Sequence, residues 1–289
     1  MTANFTSWGR LVDYITLISV NVFYRPFTDA KMDMYGGDIT QRYQLGAQQL
    51  AATSDNFTEG VQKTQQPIVT GTSVIGLKYK DGIMLAADNL ASYGSLARFK
   101  DIQRLYGVGD NTVIGAAGDM SDFQHVQHEL ESLFIDEYCN DDGHTLGPAQ
   151  IYEYLSTLMY HRRSQLNPLW NAFVVGGVDP KSGESTLAYV DLLGTTYSAK
   201  TIGTGYASMI AIPLLRRLVE DREEPPNEEE ALEIIKTCMK VLFYRDARSL
   251  NKFQVAKITK SGADISPSMS VETEWGFAEG IRGYGAQTQ

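Results

Sequence analysis

Residues 70–88 read TGTSVIGLKYKDGIMLAAD. Two short apolar runs, Ser73–Tyr79 and Ile83–Ala87, are joined through Lys80, Asp81 and Gly82. Asp-Gly between β-prone runs predicts a hairpin whose turn uses positive φ. Gly71-Thr72-Ser73 stands immediately ahead of the first run, and Asp88 closes the second.

Downstream of this hairpin the chain stays regular. Thr112–Ala117 reads as another strand, ending at Gly118. Phe123, Val126, Leu130, Leu133 and Phe134 recur at helical spacing, as do Ile151, Tyr154, Leu155, Leu158 and Met159, with Pro148 fit for a first helical turn. Strands follow at Trp170–Val178, Leu187–Leu192 and Thr195–Ala199. A helix carrying Ile212, Leu215, Leu218 and Val219 ends before Pro225-Pro226. Asn227, with Glu230 three residues on, caps a helix carrying Ile234, Ile235, Cys238, Met239 and Leu242. A last strand spans Phe253–Ile258. Strands, two helices, strands, two helices and a strand, with apolar runs long enough for burial on both faces, fit two packed sheets covered outside by helices.

Upstream the character changes. Residues 1–63 mix Gly, Gln, Asp and Thr without a sustained period and read as an irregular leader. The apolar stretch Leu11–Tyr24 has no physical account; Asp13 and Asn21 interrupt it. It falls short of the ~20 residues of a membrane helix and lacks a small-residue cleavage site. Residues 64–265 form the regular domain, and 266–289 a tail containing four glycines.

The 289 residues are 43% hydrophobic and 21% charged, with a net charge of -10. That composition supports a large buried core. It also lacks the basic face that nucleic acid or an anionic membrane would need, so neither is expected as a partner. Cys139 and Cys238 are too few for a disulfide scaffold and are expected as reduced thiols. His125 and His128 lie one turn apart without HExxH spacing, and surface histidines explain them better than a metal pair. Gly203-Thr204-Gly205 before Ser208 is a partial glycine-rich loop. A tight turn entering a helix explains it better than a nucleotide-binding module, though the latter stays open as a rival. No metal or cofactor is expected.

Thr72 is the candidate nucleophile. A threonine hydroxyl needs a base, and that base can be the residue's own α-amino group if the chain is cut just before it. Nearby carboxylates and a cation must then orient the amine. Asp88, Asp246 and Ser249 are candidates for that surrounding.

Several separated segments, in order, carry a family resemblance: TGTSVIGLKYKDGIMLAAD at 70–88, GDMSDFQ at 118–124 and YRDARS at 244–249. TQQPIVTGTS at 64–73, SYGSLARF at 92–99, YHRRSQLNPLWN at 160–171 and FYRDARS at 243–249 extend it. The sequence resembles proteasome beta-type subunits over about residues 64–285, and among them the non-catalytic seventh beta subunit, in a fungal form. The resemblance implies an α+β fold, the four-layer αββα sandwich of N-terminal nucleophile hydrolases.

It also assigns residues. The mature chain of active members begins at the threonine matching Thr72, and Asp88, Asp246 and Ser249 fall on family positions. Three departures stand against activity. Arg104 replaces a lysine 32 residues beyond Thr72. Lysine has a pKa of roughly 10.4 that shifts readily, whereas arginine stays protonated, with a pKa above ~12. Tyr206 replaces a serine and is expected to crowd the amine side of the site. Leu90 replaces an arginine. The resemblance further implies trimming between Lys63 and Thr64 by a neighbouring subunit, leaving Thr72 N as an amide. The expectation is a structural subunit with a degenerate site and no catalytic residues; the alternative is an active peptidase using Thr72.

Implied partners are the other beta-type and alpha-type subunits of a twenty-eight-subunit particle, with room for assembly chaperones, in cytoplasm and nucleus. Residues 1–63 become a propeptide. The tail, through Trp275, Phe277 and Tyr284, becomes an arm that grips other subunits and joins half-particles. The complex as a whole would degrade proteins in an ATP- and ubiquitin-dependent way.

Overall fold

The computed structural model describes residues 65–276. Lys63, Thr64, Phe277, Tyr284 and the segment Leu11–Tyr24 lie outside the described residues.

The strands β1 (Val69–Gly71), β2 (Val74–Tyr79), β3 (Gly82–Asp88), β4 (Ala91–Tyr93), β5 (Leu96–Phe99), β6 (Leu105–Val108) and β7 (Thr112–Asp119) come first. Helices α1 (Met120–Asn140) and α2 (Pro148–Ser164) follow. Next come β8 (Asn171–Val178), β9 (Ser185–Val190), β10 (Thr196–Ser198) and β11 (Thr201–Gly203). Helix α3 (Ala207–Leu215) runs into a π-type turn at Arg216–Glu220, and α4 (Glu228–Arg245) precedes β12 (Phe253–Thr259) and β13 (Gly262–Ile265).

These strands make two antiparallel sheets. One is ordered β10-β9-β8-β7-β1-β4-β5, with β6 also on β7; the other is ordered β11-β2-β3-β12-β13. Alternation along β2 and β3 sorts the core into two layers. Ile75, Leu77, Met84 and Ala86 face α3 and α4, where they meet Ala211, Leu215, Ile235 and Cys238. Val74, Ile83, Leu85 and Ala87 face the other sheet, where they meet Val113, Val174 and Leu187. Both faces of the strands are buried, so their apolar runs are continuous. Helices α1 and α2 cover the outer face of the larger sheet, with the Phe123 and Phe173 rings 6.3 Å apart. The result is the αββα sandwich, with strand–helix order as the sequence implies.

The hairpin at residues 74–88 forms, but its turn is not the expected one. Lys80 and Asp81 make the turn, neither with positive φ, and Gly82 already pairs with Tyr79. Gly82 is needed for another reason: a β-carbon there would lie 2.0 Å from the Ile258 carbonyl oxygen of β12. The glycine permits close backbone approach between strands.

Several sequence signals act as read. Asn227 Oδ1 accepts from Glu230 N at 2.9 Å while Glu230 Oε2 accepts from Asn227 N at 3.1 Å, closing a capping box. Pro148 opens α2. The short strands β1, β4, β5, β6, β11 and β13 lie outside the strands read from the sequence; at three or four residues each, they are defined by their partners rather than by any pattern.

Candidate functional site

Thr72 sits between β1 and β2, at the edge where the two sheets come together. Strand β1 continues from it without a break and pairs on both sides: Thr70 opposes Ser92 of β4 and Asp119 of β7, and Gly71 opposes Gly118. Ile68 N adds a 2.9 Å bond to Asp119 Oδ1. The segment upstream of Thr72 is therefore an interior strand.

Asp246, buried at the C-terminal end of α4, comes to the Thr72 hydroxyl. Thr72 Oγ1 donates to Asp246 Oδ2 at 2.5 Å, and Asp246 Oδ1 accepts from Arg248 N at 2.9 Å. A carboxylate is too feeble a base to take a hydroxyl proton, so this bond alone orients Thr72 rather than activating it. Ser249 Oγ is turned elsewhere: it donates to Asp246 O at 2.7 Å, finishing the helix end. That is the backbone-capping role open to a serine in this position.

Arg104 is the centre of the arrangement. Its side chain is buried, at 1% exposure, and its fork donates in four directions. Nε donates to Ala116 O at 3.1 Å; Nη2 donates to Thr72 O and, at 3.1 Å, to Ser73 O; Nη1 donates to Asp88 Oδ1. The other Asp88 oxygen accepts from Leu250 N at 2.9 Å. One guanidinium thus ties the β1–β2 junction, the end of β3, β7 and, through Asp88, the loop after α4. Burial pushes Asp88 up to about 6, against the Arg104 charge and the Leu250 N–H, which favour the carboxylate. Burial likewise lowers Arg104, with Asp88 opposing. Space is tight: a β-carbon on Gly71 would stand 2.4 Å from Arg104 Nε.

Tyr206 departs from expectation. It caps the start of α3 and is 59% exposed, so its phenol stands largely in solvent rather than crowding the Thr72 nitrogen. The reason lies in Gly205, whose φ of 55° turns the chain, and in Ser73, whose Oγ accepts from Ala207 N at 3.0 Å and fixes the helix start. The Gly203–Ser208 stretch is accordingly a tight turn into a helix, with its N-terminus satisfied by a buried hydroxyl. Ser73 and Thr204, whose Oγ1 accepts from Val74 N at 2.8 Å, are site residues that sequence reasoning misses. Their only signal is small hydroxyl residues flanking Thr72 and the glycine pair. Leu90, at the third position of departure, is buried.

The remaining candidates lie apart. His125 and His128 are on the α1 surface, 4.0 Å from Glu129 and 3.5 Å from Glu131 respectively. Among the described residues no group of three or more His, Cys, Asp or Glu could hold a metal ion. Cys139 is exposed and Cys238 buried, both as free thiols. No helix among the described residues is long and apolar enough to cross a membrane. Beyond β13 the chain continues along its own domain: Met269 exchanges backbone bonds with Phe253, and Val271 N donates to Asn251 Oδ1 at 3.0 Å. The Trp275 ring lies edge-on to Phe243 and Tyr244, with centroids 5.9 and 5.0 Å away, and stays 41% exposed. Its first partners are thus the last turn of α4.

Comparison with known proteins agrees with this architecture. The family profile described as "Proteasome subunit" matches residues 68–258. The chain is 54% identical over 229 residues to "Probable proteasome subunit beta type-7" of Schizosaccharomyces pombe, covering 79% of this chain and 87% of the relative. It is 50% identical over 232 residues to proteasome subunit beta type-7 of Saccharomyces cerevisiae, covering 78% and 87%. It is 46% identical over 224 residues to proteasome subunit beta type-4 of Xenopus laevis, covering 78% and 91%.

Proposed function

The chain belongs to the proteasome subunit family, as a beta-type member, and from that premise we propose that it is a non-catalytic, structural subunit of the 20S core particle. Proteasome beta subunits assemble with other beta-type and alpha-type subunits into that particle, whose work is protein degradation. This subunit's contribution is surface and rigidity: it completes a ring, supports the joining of half-particles and leaves the peptide chemistry to others.

The observation that carries the non-catalytic reading is that β1, the segment just ahead of Thr72, is paired on both sides within the larger sheet. An N-terminal nucleophile needs a free amine, and a cut at Gly71–Thr72 would have to sever this strand, paired through Thr70 to Ser92 and through Gly71 to Gly118, from β2. Arg104 adds to it. A guanidinium spent on acceptors of four residues remains protonated and cannot take the hydroxyl proton. The convergence of Thr72, Asp88 and Asp246 favours the other reading, an active threonine peptidase, only if the chain is cut at Gly71–Thr72.

The test is the N-terminal residue of this subunit in the mature particle, read by mass spectrometry. A start at Thr64, or anywhere that retains β1, supports the structural reading. A start at Thr72 exposes the amine and overturns it. The reading also assigns residues 1–63 as a propeptide, residues 266–289 as an inter-subunit arm, and a cytoplasmic and nuclear location; cell fractionation checks the last.

A further inference from the structure

We infer that the C-terminal end of α2 is an anchor for a neighbouring proteasome subunit, with Leu166 as an apolar knob entering a cleft rimmed by acidic residues on that neighbour. The inference rests on reading the chain as a subunit of the particle.

The argument begins with the backbone. Leu166 has φ 55°, in the left-handed region, at the position just beyond a helix where glycine or asparagine normally sits. The only other non-glycine residue with positive φ among those described is Asp141, whose short polar side chain tolerates it. Leucine has no such tolerance. Its side chain is also 81% exposed, so burial within its own fold contributes little to hold it there. Backbone conformation and solvation both disfavour leucine at this point, and a partner that buries the side chain supplies the missing reason.

The knob is held rigidly. Leu166 N donates to Arg163 O and Asn167 N to Arg162 O, each at 3.1 Å, closing the helix end. Arg162 Nε donates to Asn167 O at 3.0 Å, and Gln65 Nε2 donates to Asn167 Oδ1. A preset loop loses little freedom on docking.

The surroundings define the partner. Tyr160 and Leu193 are each more than half exposed. The turn bearing Leu193 is seated on α2, since a β-carbon on Gly194 would lie 2.8 Å from Tyr160 Cβ. His161, Arg162 and Arg163 fill the last turn of α2, and the Arg163 guanidinium stands 5.5 Å from the Tyr160 ring centroid. The end of α2 thus carries exposed apolar and basic side chains together, on a chain of net charge -10. An aromatic and arginine set around an apolar anchor is the composition of an interface hot spot, and its complement is apolar with acid around it.

Full-length tagged chain, expressed beside an untagged wild-type copy in cells that build the particle, gives two readouts: the tagged share in the sedimenting particle, and the thermal midpoint of the free full-length chain. Leu166→Gly and Leu166→Asn both suit the left-handed conformation and remove the knob. They should lower the tagged share about tenfold or more while leaving the midpoint unchanged or raised. Leu166→Met, still apolar, should keep the share near wild type. Wild-type share for the Gly and Asn variants overturns the anchor, as does a midpoint that falls along with the share, which marks a structural role. A Met variant as impaired as the Asn variant overturns the apolar knob. If the wild-type tagged chain itself stays out of the particle, the subunit reading fails and the anchor with it.

Discussion

The Thr72 hydroxyl donates to Asp246 at 2.5 Å across 174 residues of sequence, while the residues just ahead of Thr72 form the paired strand β1. The bond joins the start of β2 to the end of α4, two layers of the sandwich. On the non-catalytic reading proposed above, this contact orients Thr72 without activating it. Thr72→Ala should therefore leave every peptidase specificity of the purified particle at wild-type rate. It should cost the free chain about 2 kcal/mol, because the buried Asp246 carboxylate loses a partner. Loss of one specificity in fluorogenic-peptide assays would show that Thr72 reacts.

Arg104 is expected to matter more to stability than Thr72. Arg104→Ala leaves the Asp88 carboxylate buried without its cation and strips the carbonyls of Thr72, Ser73 and Ala116 of their donor. Breaking a buried pair by removing one partner costs about 3–5 kcal/mol. Arg104→Lys keeps the charge but loses the fork, and should fall between wild type and Ala. Urea unfolding of the full chain orders the three; a Lys variant as stable as wild type would mean that the fork geometry is dispensable.

Legibility in the sequence varies by element. The helix stripes, the Asn227–Glu230 cap and the two-sided strands are readable because their period or chemistry is local. Arg104 can be marked as a departure, yet its acceptors lie at the β1–β2 junction, at the end of β3 and in β7, and no local pattern announces them. Tyr206 misleads for the same reason: a larger side chain crowds a site only if the backbone points it inward, and Gly205 does not. Strand β1 is invisible because three residues, Val69–Gly71, are a strand only by virtue of β4 and β7.

Gly82 makes that distinction testable. Its place after Asp81 suggests a turn glycine, but a β-carbon there meets the Ile258 carbonyl oxygen at 2.0 Å, and backbone cannot step aside as a side chain can. Gly94 is the contrast: φ is 58°, with open space around it. Gly94→Ala should cost about 1–2 kcal/mol, from φ alone. Gly82→Ala should cost more than that, about 3 kcal/mol or above, by splitting β3 from β12. Thermal melts of the two variants compare them directly; equal losses would restore the turn reading.

Asp88 gives the site a pH signature whose sign follows from its surroundings. Burial raises its folded pKa to about 6, above the 3.8 of an exposed aspartate. Between those values the folded chain holds a proton that the unfolded chain has released. The contribution of Asp88 titration to stability is thus fully present below about pH 4 and is lost as pH rises through about 6. Asp88→Asn removes the titration and resembles the protonated side chain, so it should lie nearest to wild type at low pH. Wild-type stability minus that of the variant should fall from pH 4 to about pH 6.5 and then stay level to pH 8. Arg104 keeps its charge across this range and adds no slope. If that difference instead grows as pH rises, the Arg104 charge outweighs burial and the Asp88 pKa lies below its ordinary value, a distinction that unfolding curves at half-unit pH steps resolve.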